Sequence, residues 1–432
     1  MDKEWNPSKL FHTVVMPAQL ELIRMEHRGV LIDKSLRNKR RKDLEAELKR
    51  ASSDPALGDC NPWSPLQVRA KLWDMKVTKA KGTDERTLKK VRSRRPDVAP
   101  FINAVLDCRK ARKLKSTYVD AKIHPDGRLR CSYQLRNETG RARSGKDVFG
   151  LGTNLQNIPG SQRDWIIPDE GMVMWAADAS QIEARVVAWL SQDKEYIKSF
   201  LDGRDLHAEH ASALFNIPMD KVRNTVPGST KTYRDSGKLV THSWGYWISS
   251  IGLQMRINDE LPDLLFTERD AARHIQTLNN LRSGVARWRI GVVEALKRSR
   301  TLVTPFGRPR TFLGAWRPTD GVPGPLHREA VAHLPQSTAS DHMHRALVQT
   351  ALKLRENPNT KGAECLLYTH DEIAGQCLPE QLDSVKKIVC GEISRAMPLE
   401  WTENKEDGTS ITHPLCCPAD FGYGPNWKET HS

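Results

Sequence analysis

The chain has 432 residues, of which 38% are hydrophobic and 28% charged, a composition typical of a folded globular protein. The 67 Lys and Arg residues outnumber the 53 Asp and Glu residues and give a net charge of +14. This charge favours a polyanionic partner, first nucleic acid and second an acidic membrane surface. No targeting segment opens the sequence, and no apolar run reaches the length of about 20 residues that spans a bilayer. We therefore expect a cytoplasmic protein of roughly three domains.

The first part of the chain is predicted to be mostly helical and basic. Residues 14–50 have a helical pattern that breaks at the turn signal Arg28-Gly29, and residues 53–64 predict a loop rich in Pro, Gly and Asp. A second helical pattern covers residues 98–118 and is basic on more than one side. Such charges usually lie on a solvated helix face, so the pattern alone leaves a ligand contact open.

A strand and a polar loop are predicted next. Residues 127–135 resemble a strand bounded by the turn signal "HPDG". Residues 139–160 predict a loop because they are rich in Gly, Ser, Asn and Arg. Two arginines and a lysine lie within the first eight of these residues, beside side-chain amides, and this composition suits contacts with phosphate and sugar.

The rest of the chain alternates between apolar strands and long helical patterns. The apolar run Met172–Ala177 predicts a buried strand that ends at Asp178. A mostly helical region is predicted to follow, and a further helix is predicted near residues 325–354. The apolar segment 365–378 predicts a pair of strands.

Acids lie at the tips of two of these strands. Asp178 ends the first, and Asp371 and Glu372 lie in the middle of the strand pair. A buried, unpaired carboxylate is costly, so we expect Asp178 and Asp371 to meet at the rim of one sheet around a cation. Oxygen-only ligands favour Mg²⁺. Taken alone, however, an acid at a strand end is more often a solvated turn residue.

A stripe of cations and an aromatic ring gives the second functional signal. Arg234, Lys238, His242 and Tyr246 recur every four residues and are predicted to lie along one helix face. The cations would hold the phosphates of a nucleoside triphosphate, and the tyrosine would stack near its base. An ordinary surface helix is the alternative. Gly237 and Gly245 each lower helix propensity by about 1 kcal/mol relative to Ala, which a helix that pivots or admits a ligand against its backbone could tolerate.

Three segments resemble the polymerase motifs of family-A, DNA polymerase I-type, DNA polymerases. They are "DASQIEARVVAWLSQD", "RDSGKLVTHSWGYW" and "YTHDE", in the family's order and with suitable separations. Similar segments extend from about residue 14 to the end and include "TGRARS", "NLQNIPG", "HREAVAHLPQSTASD" and "PADFGYGPNW". Any one motif is weak evidence, whereas the combination is specific.

The resemblance implies an α+β right-hand polymerase fold with an antiparallel palm sheet, a helical thumb and helical fingers. It implies template-directed addition of deoxynucleotides to a primer 3′ end by two-metal phosphoryl transfer, with two Mg²⁺ ions that Mn²⁺ can replace. The implied partners are primer–template DNA and deoxynucleoside triphosphates, with a separate exonuclease or processivity subunit as a further candidate and no membrane. The expected domains are an N-terminal leader (1–13), the thumb (14–118), the first part of the palm (119–190), the fingers (191–300) and the second part of the palm (301–432).

The resemblance also implies roles for individual residues. The catalytic acids are Asp178, Asp371 and Glu372, and the metal ligands are Asp178, Asp371 and the backbone carbonyl of Ala179. The nucleotide is held by Gln181, Glu183, His207, Arg234, Lys238, His242 and Tyr246, with Glu183 excluding a ribose 2′-hydroxyl. The DNA is held by Arg109, Lys113, Arg141, Asn154, Gln156, Arg328, Gln336 and His370.

Three departures from the family pattern carry their own expectations. His242 occupies a position that is usually Phe or Tyr, so sugar selectivity is expected to differ. Ser243 and Trp247 replace family glycines, so the helix is expected to bend differently. The sequence begins essentially at the thumb, whereas the family's proofreading exonuclease would precede it, so we expect no proofreading by this chain. A polymerase of this form is phage-like by analogy with phage and plasmid replication systems.

Two other functions remain as alternatives. A single-subunit RNA polymerase shares the acids and the cationic helix, but it must admit the 2′-hydroxyl that Glu183 is expected to exclude. A catalytically inactive nucleic-acid-binding relative would keep a basic cleft, but it would not need both aspartates together with Arg234, Lys238 and Tyr246.

Overall fold

The computed structural model describes residues 5–78, 82–227, 229, 231–261, 266–314, 324–405 and 407–431. The α-helices are α1 (Pro7–Leu10), α2 (Met16–Arg28), α3 (Lys34–Ser52), α4 (Pro65–Asp74), α5 (Glu85–Arg94), α6 (Ala99–Lys113), α7 (Ile182–Ser191), α8 (Lys194–Leu201), α9 (Leu206–Phe215), α10 (Tyr233–Gly245), α11 (Ser250–Glu260), α12 (Glu268–Leu281), α13 (Ser283–Ser299), α14 (Pro325–Glu356) and α15 (Leu382–Ile393). The strands are β1 (Val30–Ile32), β2 (Arg128–Leu129), β3 (Ser132–Gln134), β4 (Arg143–Gly145), β5 (Ile166–Ile167), β6 (Val173–Ala179), β7 (Thr301–Val303), β8 (Pro309–Thr311), β9 (Glu364–Thr369), β10 (Glu372–Cys377), β11 (Glu400–Asn404), β12 (Ser410–Pro414) and β13 (Ala419–Gly424).

A four-stranded antiparallel sheet lies at the centre of the molecule, with strand order β13-β6-β10-β9. Its middle strand β6 is the predicted apolar strand, and Met174 and Trp175 in it are fully buried. The sheet is antiparallel because β9 and β10 form a hairpin and β13 returns along the other side of β6. The predicted strand pair is therefore confirmed, and it lies beside the predicted strand that ends in Asp178.

Helices α14 and α15 cover this sheet. α15 packs against β6 and β13, and α14 packs against α15, α7, α2 and β9. α14 is almost wholly buried along its middle, and Pro335 lies inside it without ending it. The predicted helix near residues 325–354 is thus confirmed, and it forms part of the main hydrophobic core together with the sheet.

The helices before the sheet form a separate unit with its own core. α4, α5 and α6 pack around buried apolar side chains that include Leu72, Leu88, Phe101 and Ile102. The predicted helix at residues 98–118 is present as α6 and a continuing π-helical segment, Leu114–Val119. Among the described residues, the apolar core of this unit is separate from the main core cluster, and the unit joins the rest of the protein through packing of α3 on α6 and of α5 on α11.

The helical region between β6 and β7 is also as predicted. Seven helices, α7 to α13, follow one another within the described residues from Ile182 to Ser299. α9 and α10 pack side by side, and α11 packs against α12. The cationic stripe therefore lies on a helix that is supported from behind by α9.

Several local predictions differ from the structure. The expected single strand at residues 127–135 is divided into β2 and β3, and the expected loop at residues 139–160 contains β4, which pairs with β3. The expected leader is helical in its described part, where Leu10 and Val14 pack on Phe306, while residues 1–4 lie outside the described residues. Among the described residues, no helix is both long enough and apolar enough to cross a bilayer.

Candidate active site

Asp178 lies near the end of the central strand, where two neighbouring strands bring further acids beside it. The register of the sheet places Glu372 of β10 opposite Asp178 on one side and Asp420 of β13 opposite it on the other. Burial raises the pKa of Asp178 to about 7, and repulsion from the neighbouring carboxylates adds to the rise. The sheet therefore concentrates negative charge at this tip, as the sequence predicted for Asp178 and its partner acid.

Asp371 is brought to the same place by the turn between β9 and β10. Its backbone carbonyl accepts a hydrogen bond from the N–H of Ala179 at 2.8 Å, which joins the turn to the end of β6. His370, just before it, is exposed and has a φ of +43°, in the left-handed region. Burial among protein atoms raises the pKa of Asp371, although the residue is exposed at the surface. The two aspartates thus lie close enough for the charge of Asp371 to raise the pKa of Asp178, and the cation expected between them stays a prediction.

Glu372 differs from Asp178 and Asp371 because residues of the C-terminal segment contact its carboxylate. The indole N–H of Trp427 donates to Glu372 at 3.0 Å, and the ring of His431 contacts its other oxygen. Arg163 lies 3.9 Å from the same carboxylate and stacks over the Trp427 ring. Burial alone would raise the pKa of Glu372, but the contact with His431 lowers it overall. Glu372 is thus a buried, charged and fully partnered group.

The carboxylates of Asp178, Asp371 and Asp420 at this end of the sheet, which we call the acidic tip, offer oxygen ligands for a metal ion. Within the described part of the chain, no group of three or more His, Cys, Asp or Glu side chains is placed to enclose a metal ion. Mg²⁺ typically takes one or two carboxylates and completes its shell with water and substrate phosphates, so a closed protein cage is not required. The raised pKa values of Asp178 and Asp371 fit a site whose negative charge is compensated by a cation.

The cationic stripe begins at the N-terminus of α10, which Thr232 and Asp235 cap reciprocally. Arg234 donates from Nε to Asp205 at 2.6 Å, and Lys238, one turn later, is exposed. His242 follows on the same face of the helix, as predicted.

His207 joins this stripe from the neighbouring helix α9. Its ring lies 5.6 Å from the ring of His242, measured between centroids. Burial lowers the pKa of His207 to about 4, and the positive charges of the stripe add to the shift. The structure therefore brings His207 together with Arg234, Lys238 and His242, which the sequence alone had placed 27 or more positions apart.

Gly237 has a different role from the one predicted. A Cβ atom at this position would lie 2.5 Å from the backbone oxygen of His207 and 2.8 Å from the side chain of Ala211. The glycine therefore permits close packing of α9 on α10. This packing accounts for the glycine, and the expectation that the helix pivots or admits a ligand against its backbone stays a prediction.

Tyr246 lies just outside the helix that was predicted to carry it. α10 ends at Gly245, and Tyr246 is the C-cap residue, with its hydroxyl buried and without a hydrogen-bond partner in the described residues. Trp247 then has a φ of +58° and stacks on His327 with ring centroids 6.5 Å apart. The departures at Ser243 and Trp247 thus differ in effect: Ser243 continues the helix, donating to the Leu239 carbonyl at 2.8 Å, whereas Trp247 lies beyond its end.

The first turn of α7 lies on the other side of Asp178. Gln181 caps this helix in a left-handed conformation, with φ +54°, and its side-chain oxygen is buried and unpaired within the described residues. Glu183 forms an ion pair with Arg141. Burial raises the pKa of Glu183 to about 8, and repulsion from Asp371 adds to the rise. The pair links two residues that the sequence had assigned separately to nucleotide and to DNA.

The remaining residues predicted to bind DNA lie in varied environments. Asn154 accepts a hydrogen bond from the Ser144 hydroxyl at 2.7 Å, and Gln156 is buried and donates to the Tyr368 carbonyl at 3.3 Å. Arg328 and Gln336 are half-buried on α14, two turns apart. Gln156 thus lies beside the hairpin that carries Asp371, and Arg328 lines a pocket with residues of α5 and α11.

Arg109 and Lys113 of α6 are not equivalent. Arg109 points into its own unit, where it donates to the Pro62 carbonyl at 2.8 Å and also contacts the Thr83 carbonyl. Lys113 is exposed. Both residues line a cleft of about 1030 Å³ between α5, α6 and the loop at Asn157. Lys113 is therefore accessible to a ligand in this cleft, whereas the hydrogen bonds of Arg109 stabilise its own helical unit.

Several residues of the site were not identified from the sequence. Asp420, Arg163, Trp427 and His431 surround the acidic tip, and only the quoted segment "PADFGYGPNW" had drawn attention to two of them. No local pattern marks such residues, because their positions depend on strand register and on the path of the last turn.

The antiparallel sheet with paired acids, flanked by a cationic helix, is part of a polymerase fold. The structure superposes on the POL domain of Pol1 from M. smegmatis, solved in complex with DNA primer-template and dNTP, with a TM-score of 0.80 and 24% identity, over 98% of this chain and 72% of that one. The sequence model of DNA polymerase family A matches residues 34–429, and the chain belongs to this family.

Individual relatives are similar over most of the chain. It is 30% identical to the thermostable DNA polymerase I of Thermus aquaticus over 416 residues, which cover 90% of this chain and 47% of that protein. It is 27% identical to DNA polymerase I of Bacillus subtilis over 446 residues, which cover 98% and 46% respectively. The chain thus spans about half the length of the curated relatives it matches.

Proposed function

We propose that this protein is a template-directed DNA polymerase that adds deoxynucleotides to the 3′ end of a primer. One observation carries the proposal: the hydrogen bond from the Ala179 N–H to the Asp371 carbonyl joins the turn that carries Asp371 to the end of the strand that carries Asp178. Membership of DNA polymerase family A supports this reading. The M. smegmatis POL domain, which has the same fold, was solved with DNA primer-template and dNTP, and these are the partners we propose here.

The acids are proposed to act together with bound Mg²⁺. Asp178, Asp371 and the Ala179 carbonyl would hold it, and Mn²⁺ would be able to replace it. When bound, two such ions stabilise both the attacking and the leaving oxygens of an in-line phosphoryl displacement. Glu372 is proposed to be a positioning residue, because its hydrogen bonds with the C-terminal segment fix the start of β10 beside Asp371.

The stripe on α10 is proposed to bind the triphosphate. Arg234 would offer bidentate contacts to phosphate oxygens, and Lys238 would offer a point charge. Asp205 holds the Arg234 side chain in place before a nucleotide arrives, since its carboxylate accepts from Nε at 2.6 Å. His207 is neutral near pH 7 because its pKa is lowered to about 4, so it would donate one neutral N–H to a phosphate.

The sugar and the base are proposed to be selected between α7 and the end of α10. Glu183, oriented by Arg141, would exclude a 2′-hydroxyl, and His242 would lie nearer the 3′ side of the sugar. The Tyr246 ring, at the C-cap of α10, would close over the nascent base pair. Because Trp247 adopts a left-handed conformation directly after it, a change in this backbone turn would move Tyr246.

The domain roles follow from the same proposal. The separate helical unit within residues 14–118 would be the thumb, the sheet and its covering helices within 119–190 and 301–432 the palm, and the helices within 191–300 the fingers. Lys113, which is exposed in the cleft beside α5 and α6, would contact the DNA backbone. Arg109 would support this surface from within.

Primer extension by the purified chain tests the proposal directly. Extension of a labelled primer is expected with Mg²⁺ and deoxynucleotides, to depend on the template sequence, and to stop when the metal is chelated. Strong preference for deoxynucleotides over ribonucleotides would exclude the single-subunit RNA polymerase. Tight DNA binding without extension would instead favour the catalytically inactive relative.

Proofreading is a separate part of the proposal. We propose that the chain does not shorten a mismatched primer, because the acidic cluster described above is assigned to synthesis. Incubation with a mismatched 3′ end and Mg²⁺, without nucleotides, is expected to leave the primer intact. Metal-dependent trimming that persists in an Asp178→Ala variant would reveal a second active site.

A further inference from the structure

The loop after β4 exposes two adjacent apolar side chains. Val148 is 91% exposed and Phe149 is 83% exposed, more than most large apolar residues at the surface of this protein. Single exposed apolar residues are common on protein surfaces, but a Val-Phe pair at the tip of one turn is a larger apolar feature. We call residues 147–151, with this pair at their tip, the apolar turn.

The apolar turn is held in one conformation by hydrogen bonds at its base. The Asp147 carboxylate accepts from the backbone N–H groups of Phe149 and Leu151, at 2.9 Å each. The Asp147 N–H donates to the Leu151 carbonyl at 3.0 Å, and the ring of His124 lies 3.1 Å from the Asp147 carboxylate. The apolar pair is therefore presented outward by a constrained turn and is prevented from folding back onto the protein.

The turn is also anchored to the body of the protein on its C-terminal side. The Gly152 N–H donates to the Lys122 carbonyl at 2.8 Å, and the Thr153 hydroxyl donates to the Thr117 carbonyl at 2.7 Å. Gly152 has a φ of +76°, and a Cβ atom there would lie 2.0 Å from the Arg130 carbonyl, so only glycine fits. A constrained turn loses little entropy when it binds, which favours a role in recognition.

Charge and position point to the ligand. Arg143 and Lys146, just before the turn, are exposed, and neither forms an ion pair within the described residues. The same segment continues into Asn154, whose side chain accepts from Ser144, and into Gln156. An apolar tip beside two cations complements nucleic acid, in which phosphates flank the apolar faces of sugars and bases.

We propose that the apolar turn is a contact site for the primer–template duplex, with Val148 and Phe149 packing into a groove and Arg143 and Lys146 contacting the flanking phosphates. This inference rests on the proposed function, and the family resemblance implies DNA contacts for Asn154 and Gln156 of the same segment. Apolar side chains contribute to such a contact through sugars and base edges, and they carry no charge, so their effect does not depend on counterion release.

The salt dependence of duplex binding separates the two kinds of contact. Phe149→Ser is expected to weaken binding of a primer–template duplex about tenfold and to leave unchanged the slope of log Kd against log salt concentration. Lys146→Ala is expected to reduce that slope by about 1, because one phosphate contact is lost. Phe149→Leu, which keeps an apolar tip, is expected to bind within about twofold of the wild type.

Leu313→Ser provides the matched control, since Leu313 is 86% exposed and lies outside the turn. It is expected to bind the duplex as the wild type does. Equal affinity of the wild type, Phe149→Ser and Val148→Ser would overturn the inference and leave the proposed function standing. If the wild type itself did not bind the duplex, both the inference and the proposed function would be contradicted. All variants keep the Asp147 hydrogen bonds, and their melting temperatures are measured to establish that they are folded.

Discussion

Trp427 donates its indole N–H to Glu372 at 3.0 Å, although 55 positions separate the two residues in the chain. Both side chains are buried, and His431 contacts the second oxygen of the same carboxylate. The last turn of the chain thereby fixes the start of β10 next to Asp371. In the sequence, Glu372 is marked only by the motif that contains it. In the structure, the C-terminal segment is attached to it through Trp427 and His431.

Trp427→Phe is expected to lower the free energy of unfolding by about 2 kcal/mol, because a buried carboxylate loses a hydrogen bond and the smaller ring leaves a gap. The measurement is urea unfolding followed by tryptophan fluorescence and circular dichroism. Trp73→Phe is the control, since Trp73 is 62% exposed. If the two variants were equally stable, the bond to Glu372 would have no structural role.

Asp178→Ala and Asp371→Ala are each expected to abolish nucleotide addition and to change the affinity for primer–template DNA little. Phosphate contacts from Lys and Arg supply most of that affinity, and the acids contribute none of it. Single-turnover extension and a DNA-binding titration measure the two effects. Asp383→Ala, at an exposed acid on α15, is expected to match the wild type. Near wild-type extension by either active-site variant contradicts the metal assignment.

Glu183→Ala is expected to raise ribonucleotide incorporation far more than His242→Phe does. Removing the carboxylate opens space beside the sugar, and discrimination by a polar or steric clash can be worth several kcal/mol, or more than about 100-fold. His242→Phe is expected to change mainly the use of dideoxynucleotides. Insertion kinetics with deoxy-, dideoxy- and ribonucleotides measure both. If the ratio of deoxynucleotide to ribonucleotide incorporation were unchanged in Glu183→Ala, the assignment of Glu183 to sugar selection would be wrong. The single-subunit RNA polymerase would then again be an alternative function.

Three buried histidines of α14 predict a loss of stability in acid. Burial lowers the pKa values of His333, His342 and His344 to about 3 each, whereas an unfolded histidine titrates near 6.5. Between about pH 3 and pH 6.5, the unfolded state therefore binds more protons than the folded state. The stabilisation is fully present above about pH 6.5 and declines as the pH falls.

One such histidine accounts for about 2 kcal/mol between pH 7 and pH 5. In His344→Leu, the difference in unfolding free energy between these two pH values is expected to be smaller than in the wild type by about this amount. Urea unfolding at both pH values measures it, and His12→Leu, at an exposed position, serves as the control. The same pH dependence in His344→Leu as in the wild type would argue against a neutral, buried imidazole.

Asp259 connects the helical unit of α4 to α6 with α11 across the cleft. Its carboxylate lies 2.7 Å from Lys89 and 2.6 Å from Arg92, both on α5. Asp259→Asn is expected to speed the release of bound DNA several-fold, because the cleft would open more readily once these partly exposed pairs are lost. Dissociation into a trap of unlabelled DNA measures the rate. Glu294→Gln, which breaks the exposed Glu294–Lys297 pair, is the control, and equal release rates would contradict the role of Asp259.

Local sequence patterns predicted the elements that carry the chemistry. The strand that carries Asp178, the hairpin that carries Asp371 and the helix that carries Arg234, Lys238 and His242 lie where apolar runs and the four-residue spacing of the cations predicted them. Periodicity succeeds here because a buried strand and an amphipathic helix are defined by residues a few positions apart. The four-residue spacing wrongly extended this helix to Tyr246. In the structure, α10 ends at Gly245, and a left-handed turn at Trp247 follows.

The sequence by itself thus predicted the main strands and helices around Asp178, Asp371 and Arg234, and its motifs resemble those of the family to which the chain belongs. Only the tertiary structure decided that Asp420 lies beside Asp178, that Trp427 holds Glu372, and that Arg109 points inward. Strand register, helix packing and the path of the last turn bring these groups together. They depend on hydrogen bonds and burial between residues distant in the chain, for which no local pattern exists.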